Sequence, residues 1–253
     1  MFSRGFLVIV KREIRRFLFL YKQTLLPSVI SSGLYIIVFG AAMGSRIGDI
    51  KGELYIHYII PGLVMMAVIN PAYQNSSSSI MQAKFLRFIE DILITPLSGL
   101  EVSLSYIIGG AIRGVLNGFL VLLLGHFLTG FEVDNWGLTF IYLFTVAWAF
   151  AASGVIVGIF AKSWDSIMVL TNFFLMPLTF LGGVFYSIDM LPPLWQTISL
   201  FNPVLYLVSG FRWSFYEIAD VNVGVSMLCI ILFMAACLSV VFWIFKTGYK
   251  LRT

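Results

Sequence analysis

The chain has 253 residues, of which 60% are hydrophobic and 11% are charged, and its formal net charge at pH 7 is +4. Soluble globular domains are about 45–50% apolar and about 25% charged, so this composition excludes a soluble domain with one membrane anchor. It predicts an all-α integral membrane protein with about six spans. No segment is long and polar enough to fold separately, so residues 1–253 are expected to form a single membrane domain.

Residues 3–22 are predicted to form an amphipathic helix at the membrane interface. Apolar side chains recur there at helical spacing, and six Lys or Arg residues occupy most of the remaining positions. This pattern is typical of a helix that lies in the inner membrane surface with its basic side toward anionic headgroups. The basic residues could instead act only as a topology signal, and both interpretations can hold together.

Six apolar segments are predicted to cross the membrane. The second contains Pro61 and Pro71, which spans tolerate when neighbouring groups satisfy the freed carbonyls. The third carries Gly110, Gly114 and Gly118 at every fourth position, a small-residue face suited to close packing against a helix of the same or a second subunit. The predicted bounds are 25–44, 54–76, 102–130, 138–161, 166–186 and 223–245.

The distribution of positive charge orients these spans. Twelve Lys and Arg residues lie in segments predicted on the same side of the membrane as the N-terminus, and they include Lys246, Lys250 and Arg252 near the C-terminus. Three lie in segments predicted on the opposite side. Positive charge marks cytoplasmic loops, so both termini are predicted to be cytoplasmic. The remaining cation, Arg113, lies within the third span, about 18 Å along the helix from Glu101. We expect it to face protein or water, or to extend toward the outer interface.

The longest inner loop, residues 77–101, is predicted to contain a short amphipathic helix. Ser79 and Gln82 fit a capping box, and Arg87 is spaced to pair with Asp91. Between two spans, such a helix can be a structural elbow or a docking surface for a cytoplasmic partner. Its predicted polar side consists of Lys84, Arg87, Glu90 and Asp91.

An outer hairpin is predicted over residues 187–216. It follows a break at Gly182-Gly183 and contains two aromatic helices, separated by Asn202-Pro203, that are too short to span a bilayer. It could be a passive linker anchored by a tryptophan belt, or a re-entrant hairpin that caps a path. Because the charge pattern places it outside, we favour an outer gate. The predicted gate residues are Gly182, Gly183, Pro192, Trp195, Pro203, Tyr206 and Arg212.

The sequence lacks the residues that several kinds of transport and catalytic chemistry require. The sequence has no G-x-x-x-x-G-K-[ST] loop for ATP, no carboxylate in the middle of a span, and no metal-ligand cluster. Cys229 and Cys237 would lie about 12 Å apart along one helix, too far for a disulfide. The pattern favours a non-enzymatic membrane subunit driven by a separate ATPase, with the 77–101 helix as its docking element. The alternatives are a stand-alone secondary carrier or channel and a non-transporting scaffold protein.

Three stretches, taken in order, resemble the permease subunits of type-2 ABC exporters, in the branch of YadH-like, nodulation-export and drug-export permeases. The most specific is LGGVFY at 181–186, followed by LPP at 191–193, Trp195, Asn202-Pro203, Tyr206 and Arg212. The second is GSRIGD at 44–49 with PGL at 61–63, and the third runs from AKF at 83–85 to Thr95-Pro96, where the family carries its coupling helix. The resemblance covers essentially the whole chain.

The resemblance implies a homodimer in the bacterial inner membrane, bound to two ATPase subunits that hold ATP and magnesium, with no cofactor in this chain and no nucleic acid partner. ATP-driven closure of the ATPases would open a central path outward, lined by spans one, two and five. Aromatic and Met side chains suit an amphiphilic cargo, such as a lipid-linked glycan, glycolipid or hydrophobic drug. The path residues expected by this analogy are Tyr35, Phe39, Met66, Tyr73, Phe174 and Phe180.

Overall fold

The computed structural model describes residues 3–251, apart from the side chains of Ala41 and Ser45. Arg252, from the predicted cytoplasmic C-terminal cluster, lies outside the described residues. The described part is predominantly helical, which confirms the all-α membrane class. Its helices are α1 (Arg4–Phe19), α2 (Tyr21–Thr24), α3 (Leu26–Ile47), α4 (Tyr55–Phe85), α5 (Phe88–Leu93), α6 (Gly99–Thr129), α7 (Trp136–Phe160), α8 (Trp164–Leu170), α9 (Met176–Phe180), α10 (Pro193–Leu200), α11 (Pro203–Tyr216) and α12 (Val223–Thr247).

Within residues 3–251, five helical segments are long and apolar enough to cross a membrane. The predicted fifth span differs, because Trp164–Phe180 is apolar but shorter and is built from α8, a π-helical segment (Thr171–Leu175) and α9. The count of six spans therefore stays a prediction. Two short strands, β1 (Asp49–Ile50) and β2 (Glu53–Leu54), form an antiparallel hairpin in the predicted outer loop between α3 and α4.

Helix α4 is the centre of the fold. It packs on α3, α6, α7 and α11, and most of its side chains are buried. It also continues well beyond the predicted end of span two, through Phe85. The predicted capping box at Ser79 is therefore wrong, since the Ser79 hydroxyl lies within α4 and donates to Glu13 Oε2 at 2.6 Å. The left-handed backbone of Arg87 (φ 61°) separates α4 from the short helix α5.

Helix α1 begins at the Ser3 cap, where the serine hydroxyl accepts from the Phe6 amide, and packs along α6. The prediction that its basic side faces lipid headgroups is wrong for two residues. Arg12 donates to the Tyr106 hydroxyl at 3.0 Å, and Arg16 donates to the Asn75 carbonyl at 2.9 Å. These cations turn inward because a buried acid, Glu13, lies between them.

The glycine face of the third span packs within the chain. A Cβ added at Gly114 would lie 2.8 Å from Ala72 Cβ on α4, and one added at Gly158 on α7 would lie 2.6 Å from the Ser77 carbonyl oxygen. Close helix packing is thus confirmed. Because α4 already occupies these faces, they give no support for a dimer.

Replacing Gly158 with alanine is expected to destabilise the protein by about 1–3 kcal/mol, because the new methyl group overlaps the backbone of α4. Gly44→Ala is the matched control, since a Cβ at Gly44 meets no atom within 4 Å. Thermal unfolding of both variants in detergent measures the difference. Equal midpoints would show that α4 can move aside at no cost.

The predicted break at Gly182-Gly183 is confirmed by the end of α9 and by the left-handed backbone of Gly183 (φ 71°). At the apex between α10 and α11, the Asn202 side chain accepts from the Val204 amide at 3.0 Å and donates to the Leu178 carbonyl at 2.6 Å. Helix α11 is then buried against α4, α7 and α12. Helix α11 is thus part of the packed bundle, whereas α10 leaves Trp195 exposed, and the choice between anchor and gate stays open.

Candidate functional site

A polar cavity of about 300 Å³ lies between α3, α4, α6 and the π-helical segment. An adjoining cavity of about 290 Å³ shares Gln74, Arg113, Thr171 and Asn172 with it. Hydroxyl and amide side chains recur on both walls, between apolar residues such as Met66 and Met168. The polar side chains lining the first cavity are Gln23, Thr24, Ser28, Ser31, Ser32, Asn70, Gln74, Arg113, Thr171 and Asn172.

Arg113 lines both cavities. Its Nη2 donates to the Thr24 carbonyl at 3.3 Å, and its Nε is buried without a hydrogen-bond partner among the described residues. Thr24 lies just before α3, on the side of the chain where α1 packs. Extension toward the outer interface, one of the two expectations for Arg113, is therefore wrong, and the guanidinium faces the cavity.

An aromatic cluster closes the gap between α3 and the end of α9. Phe185 is its centre, with ring centroids 5.7 Å from Tyr35, 4.9 Å from Phe39 and 5.8 Å from Phe180. Sequence reasoning named the other three but missed Phe185 as a path residue. Its place two residues after the Gly183 turn was the available signal, because that turn folds the chain back onto α3.

The other three expected path residues line two different cavities. Met66 lines the polar cavity together with Tyr35. Tyr73 and Phe174 instead line an apolar cavity of about 220 Å³ that includes Pro203 at the start of α11. The six residues therefore do not surround one continuous space.

Arg212 holds the outer hairpin to the central helix. Its side chain is fully buried, and Nη2 donates to the Gly183 carbonyl at 2.6 Å. Nη1 pairs with Asp220 Oδ2 at 2.6 Å, and the guanidinium lies 3.8 Å from the centroid of the Tyr58 ring. One cation thereby joins the Gly183 turn, α4, α11 and the loop before α12.

Asp220 is the acceptor at the centre of the same network, which we call the outer clamp (Lys51, Tyr58, Ser187, Arg212 and Asp220). It accepts from the Tyr58 hydroxyl at 2.9 Å, from Ser187 at 2.6 Å and from Lys51 at 2.9 Å. Sequence reasoning found only Arg212, because Lys51 and Asp220 resemble ordinary loop charges.

Neighbouring charges and hydrogen bonds set the pKa values of Asp220 and Lys51 in the outer clamp. Burial raises the pKa of Asp220, but Arg212, Ser187 and Lys51 outweigh it, so the pKa lies below its ordinary value. Burial lowers the pKa of Lys51, but hydrogen bonds with Asp220 and Asp189 outweigh it, so the pKa lies above its ordinary value. The stabilisation from Asp220 is lost only when pH falls through that lowered pKa, and that from Lys51 only when pH rises through its raised pKa. Asp220 and Lys51 are therefore both charged near neutral pH.

The remaining predicted gate residues shape the hairpin. Gly182 lies against Val204, where a Cβ would approach Cγ1 at 2.8 Å. Pro192 is the N-cap residue of α10 and Pro203 begins α11, and the Tyr206 hydroxyl donates to the Leu200 carbonyl at 2.8 Å.

At the other end of α4, the four predicted docking residues lie in two different environments. Lys84 Nζ donates to the Ile159 carbonyl at the end of α7, at 2.6 Å, and so caps that helix. Arg87, Glu90 and Asp91 are exposed on and beside α5. The predicted Arg87–Asp91 pair is wrong, because no ion pair joins them in the described part of the chain. The exposed surface of α5 and its flanks also includes the apolar Phe85, Leu86 and Ile94.

Glu13 forms a further buried cluster that sequence reasoning missed. Its carboxylate pairs with Arg12 at 3.0 Å and Arg16 at 3.3 Å and accepts from Ser79 at 2.6 Å, while its side chain is 1% exposed. The cluster ties α1 to α4, and through the Tyr106 contact to α6. In the sequence, Glu13 is one acid among six basic residues, and nothing in that pattern indicates that it is buried.

The chain matches known proteins over almost its whole length. The model of the family described as ABC-2 type transporter matches residues 4–216. The inner membrane transport permease YadH of Escherichia coli strain K12 is 41% identical over 96% of this chain and 94% of its own. Nodulation protein J of Sinorhizobium fredii is 25% identical over 79% of this chain and 78% of its own. The long apolar helices and these matches together identify a multi-pass membrane transport permease, and the chain belongs to the ABC-2 type transporter family.

Proposed function

We propose that this permease is the membrane subunit of an ATP-driven exporter in the bacterial inner membrane. Two copies would join two separate ATPase subunits, which bind ATP and magnesium, and would move an amphiphilic cargo outward. The chain itself would carry no cofactor, no ATPase site and no nucleic acid contact. Both termini would be cytoplasmic, with the outer clamp on the opposite side.

The polar cavity is the observation that carries this proposal. It lies beside α3, α4 and the π-helical segment, which correspond to spans one, two and five of the expected path. The aromatic cluster at Phe185 lies between it and the outer clamp. A cavity with many hydroxyl and amide side chains, bordered at Tyr35 by this aromatic cluster, supports the inward-facing state of an exporter.

The exposed faces beside the cavity favour a second copy of the chain. On α3, Ile30 and Leu34 are more than half exposed, and Met168 and Phe173 are exposed on the fifth segment. These faces flank the cavity, so an equivalent pair from a second subunit would close it into a central path.

The surface of α5 and its flanks is the proposed contact for the ATPase. Glu90→Lys combined with Asp91→Lys is expected to abolish transport-coupled ATP hydrolysis, because it reverses the exposed charge beside an apolar docking surface. Glu132→Lys, an exposed acid in the loop after α6, is the matched control. Copurification with the ATPase subunit and ATPase rates in proteoliposomes measure both.

Two outcomes would contradict the proposal. Normal coupling in the Glu90 and Asp91 variant would remove α5 from the docking surface. Transport by the purified chain alone, driven by an ion gradient in liposomes, would replace the exporter with a stand-alone carrier.

A further inference from the structure

We infer that the Arg113 cavity binds the anionic headgroup, a phosphate or carboxylate, of an amphiphile that enters from the inner leaflet. This inference rests on the proposed function and narrows its cargo to anionic amphiphiles. It also assigns Arg113 the role of the cation that binds this headgroup.

Among the buried and partly buried arginines, Arg113 differs from the others in having no acidic partner. Arg12 and Arg16 share Glu13, and Arg212 pairs with Asp220. Arg113, although partly buried, has no acid within ion-pairing distance among the described residues, and its Nε has no partner. A cation held away from bulk water without a counter-ion is costly, and a bound anion removes that cost.

The surrounding groups complete an anion site. Gln74 and Asn172 line both cavities together with Arg113, and Ser28, Ser31 and Asn70 line the first. Amide N–H and hydroxyl groups can donate to the anion oxygens that the guanidinium leaves free. No acidic residue lines either cavity, so nothing there repels an anion.

The depth of the cavity fits a headgroup. Gln74 lies about 28 Å along α4 from Tyr55 at the outer end, which is close to the thickness of the hydrocarbon core. The Arg113 cavity therefore reaches, at Gln74, the inner edge of the bilayer, where lipid headgroups begin. The exposed apolar side chains of Ile30 and Leu34 on α3 give the acyl chains a surface beside the cavity.

Lipid binding to the purified complex with its ATPase subunit tests the inference. Native mass spectrometry would compare dioleoylphosphatidylglycerol with dioleoylphosphatidylcholine. We expect the wild-type complex to prefer the anionic lipid by at least tenfold, Arg113→Gln to lose that preference and Arg113→Lys to keep part of it. Arg15→Gln, which removes an exposed cation from α1, is expected to keep it. An unchanged preference in Arg113→Gln would overturn the inference.

A second arm separates cargo from a resident membrane lipid. Trapping the complex with ATP and vanadate is expected to release the Arg113-dependent lipid, because the path then faces outward. Retention of that lipid in the trapped state would overturn the assignment to cargo. ATPase association and coupling, measured on the same variants, report on the proposed function separately. If Arg113→Gln keeps both but also keeps its lipid preference, only the inference fails.

Discussion

Arg212→Met is expected to lower the free energy of unfolding by about 3–5 kcal/mol, the largest effect among the outer residues. The variant leaves the buried Asp220 carboxylate without its 2.6 Å partner and the Gly183 carbonyl without a donor. Lys51 stays bound to the other carboxylate oxygen, Oδ1, but does not donate to Oδ2 or to the Gly183 carbonyl. Thermal unfolding in detergent measures the loss.

A double-mutant cycle distinguishes the ion pair from simple loss of packing. Asp220→Asn removes the acceptor charge, so the double variant should lose much less stability than the sum of the two single variants. Arg46→Met, at an exposed arginine near the outer end of α3, is the matched control and should unfold like wild type. Additive losses in the double variant would contradict the ion-pair explanation.

The same variant also probes the proposed outer gate. In the closed arrangement, Arg212 holds the Gly183 turn against Tyr58 of α4. An outward opening at the hairpin has to separate these groups or move them together. Export that is lost while ATPase association persists would support a gate, and unchanged export in the Arg212 variant would return the hairpin to an anchoring role.

Hydropathy predicted most of the helices because a bilayer demands long apolar segments, and the Gly183 and Asn202 breaks predicted the hairpin. The hydropathy-based prediction was wrong where helices continue beyond the predicted end of a span. The run Ser77–Ser79 appeared to be a loop because it is polar, yet it continues α4. The Ser79 hydroxyl bonds to Glu13 of α1, and the backbone of Ser77 packs against Gly158 of α7. Composition cannot distinguish a polar surface from a polar helix contact.

The site was predictable only where one residue carried a special chemistry. Arg212 and the glycine pair stood out, whereas Asp220 lies 162 positions from its partner Tyr58 and no local pattern joins them. Tyr73 and Phe174 were assigned to the path for being aromatic, but the sequence does not reveal which side of a buried helix a ring faces. Their cavity is lined by α7 and α12 as well.

Glu13→Gln is expected to loosen α1 from the rest of the protein. The change is nearly isosteric, but it removes the charge of the only acid that pairs with Arg12 and Arg16 among the described residues, and it weakens the bond to Ser79. Breaking one side of a buried charge cluster costs about 3–5 kcal/mol. Amide hydrogen exchange along α1 should therefore accelerate by at least tenfold, with smaller changes in α7 and α12.

A packing variant with all charges intact tests the same attachment independently. A Cβ added at Gly109 would lie 2.5 Å from Glu13 Cβ, so Gly109→Ala should displace α1 and accelerate exchange in the same helix. Arg15→Gln removes an exposed cation that forms no ion pair with Glu13 in the described part of the chain, and it should leave exchange unchanged. If the proposed exporter transmits ATPase movement through α1 as well as α5, both Glu13→Gln and Gly109→Ala should reduce coupled ATP hydrolysis. Loosened α1 with normal coupling would leave α5 as the sole route.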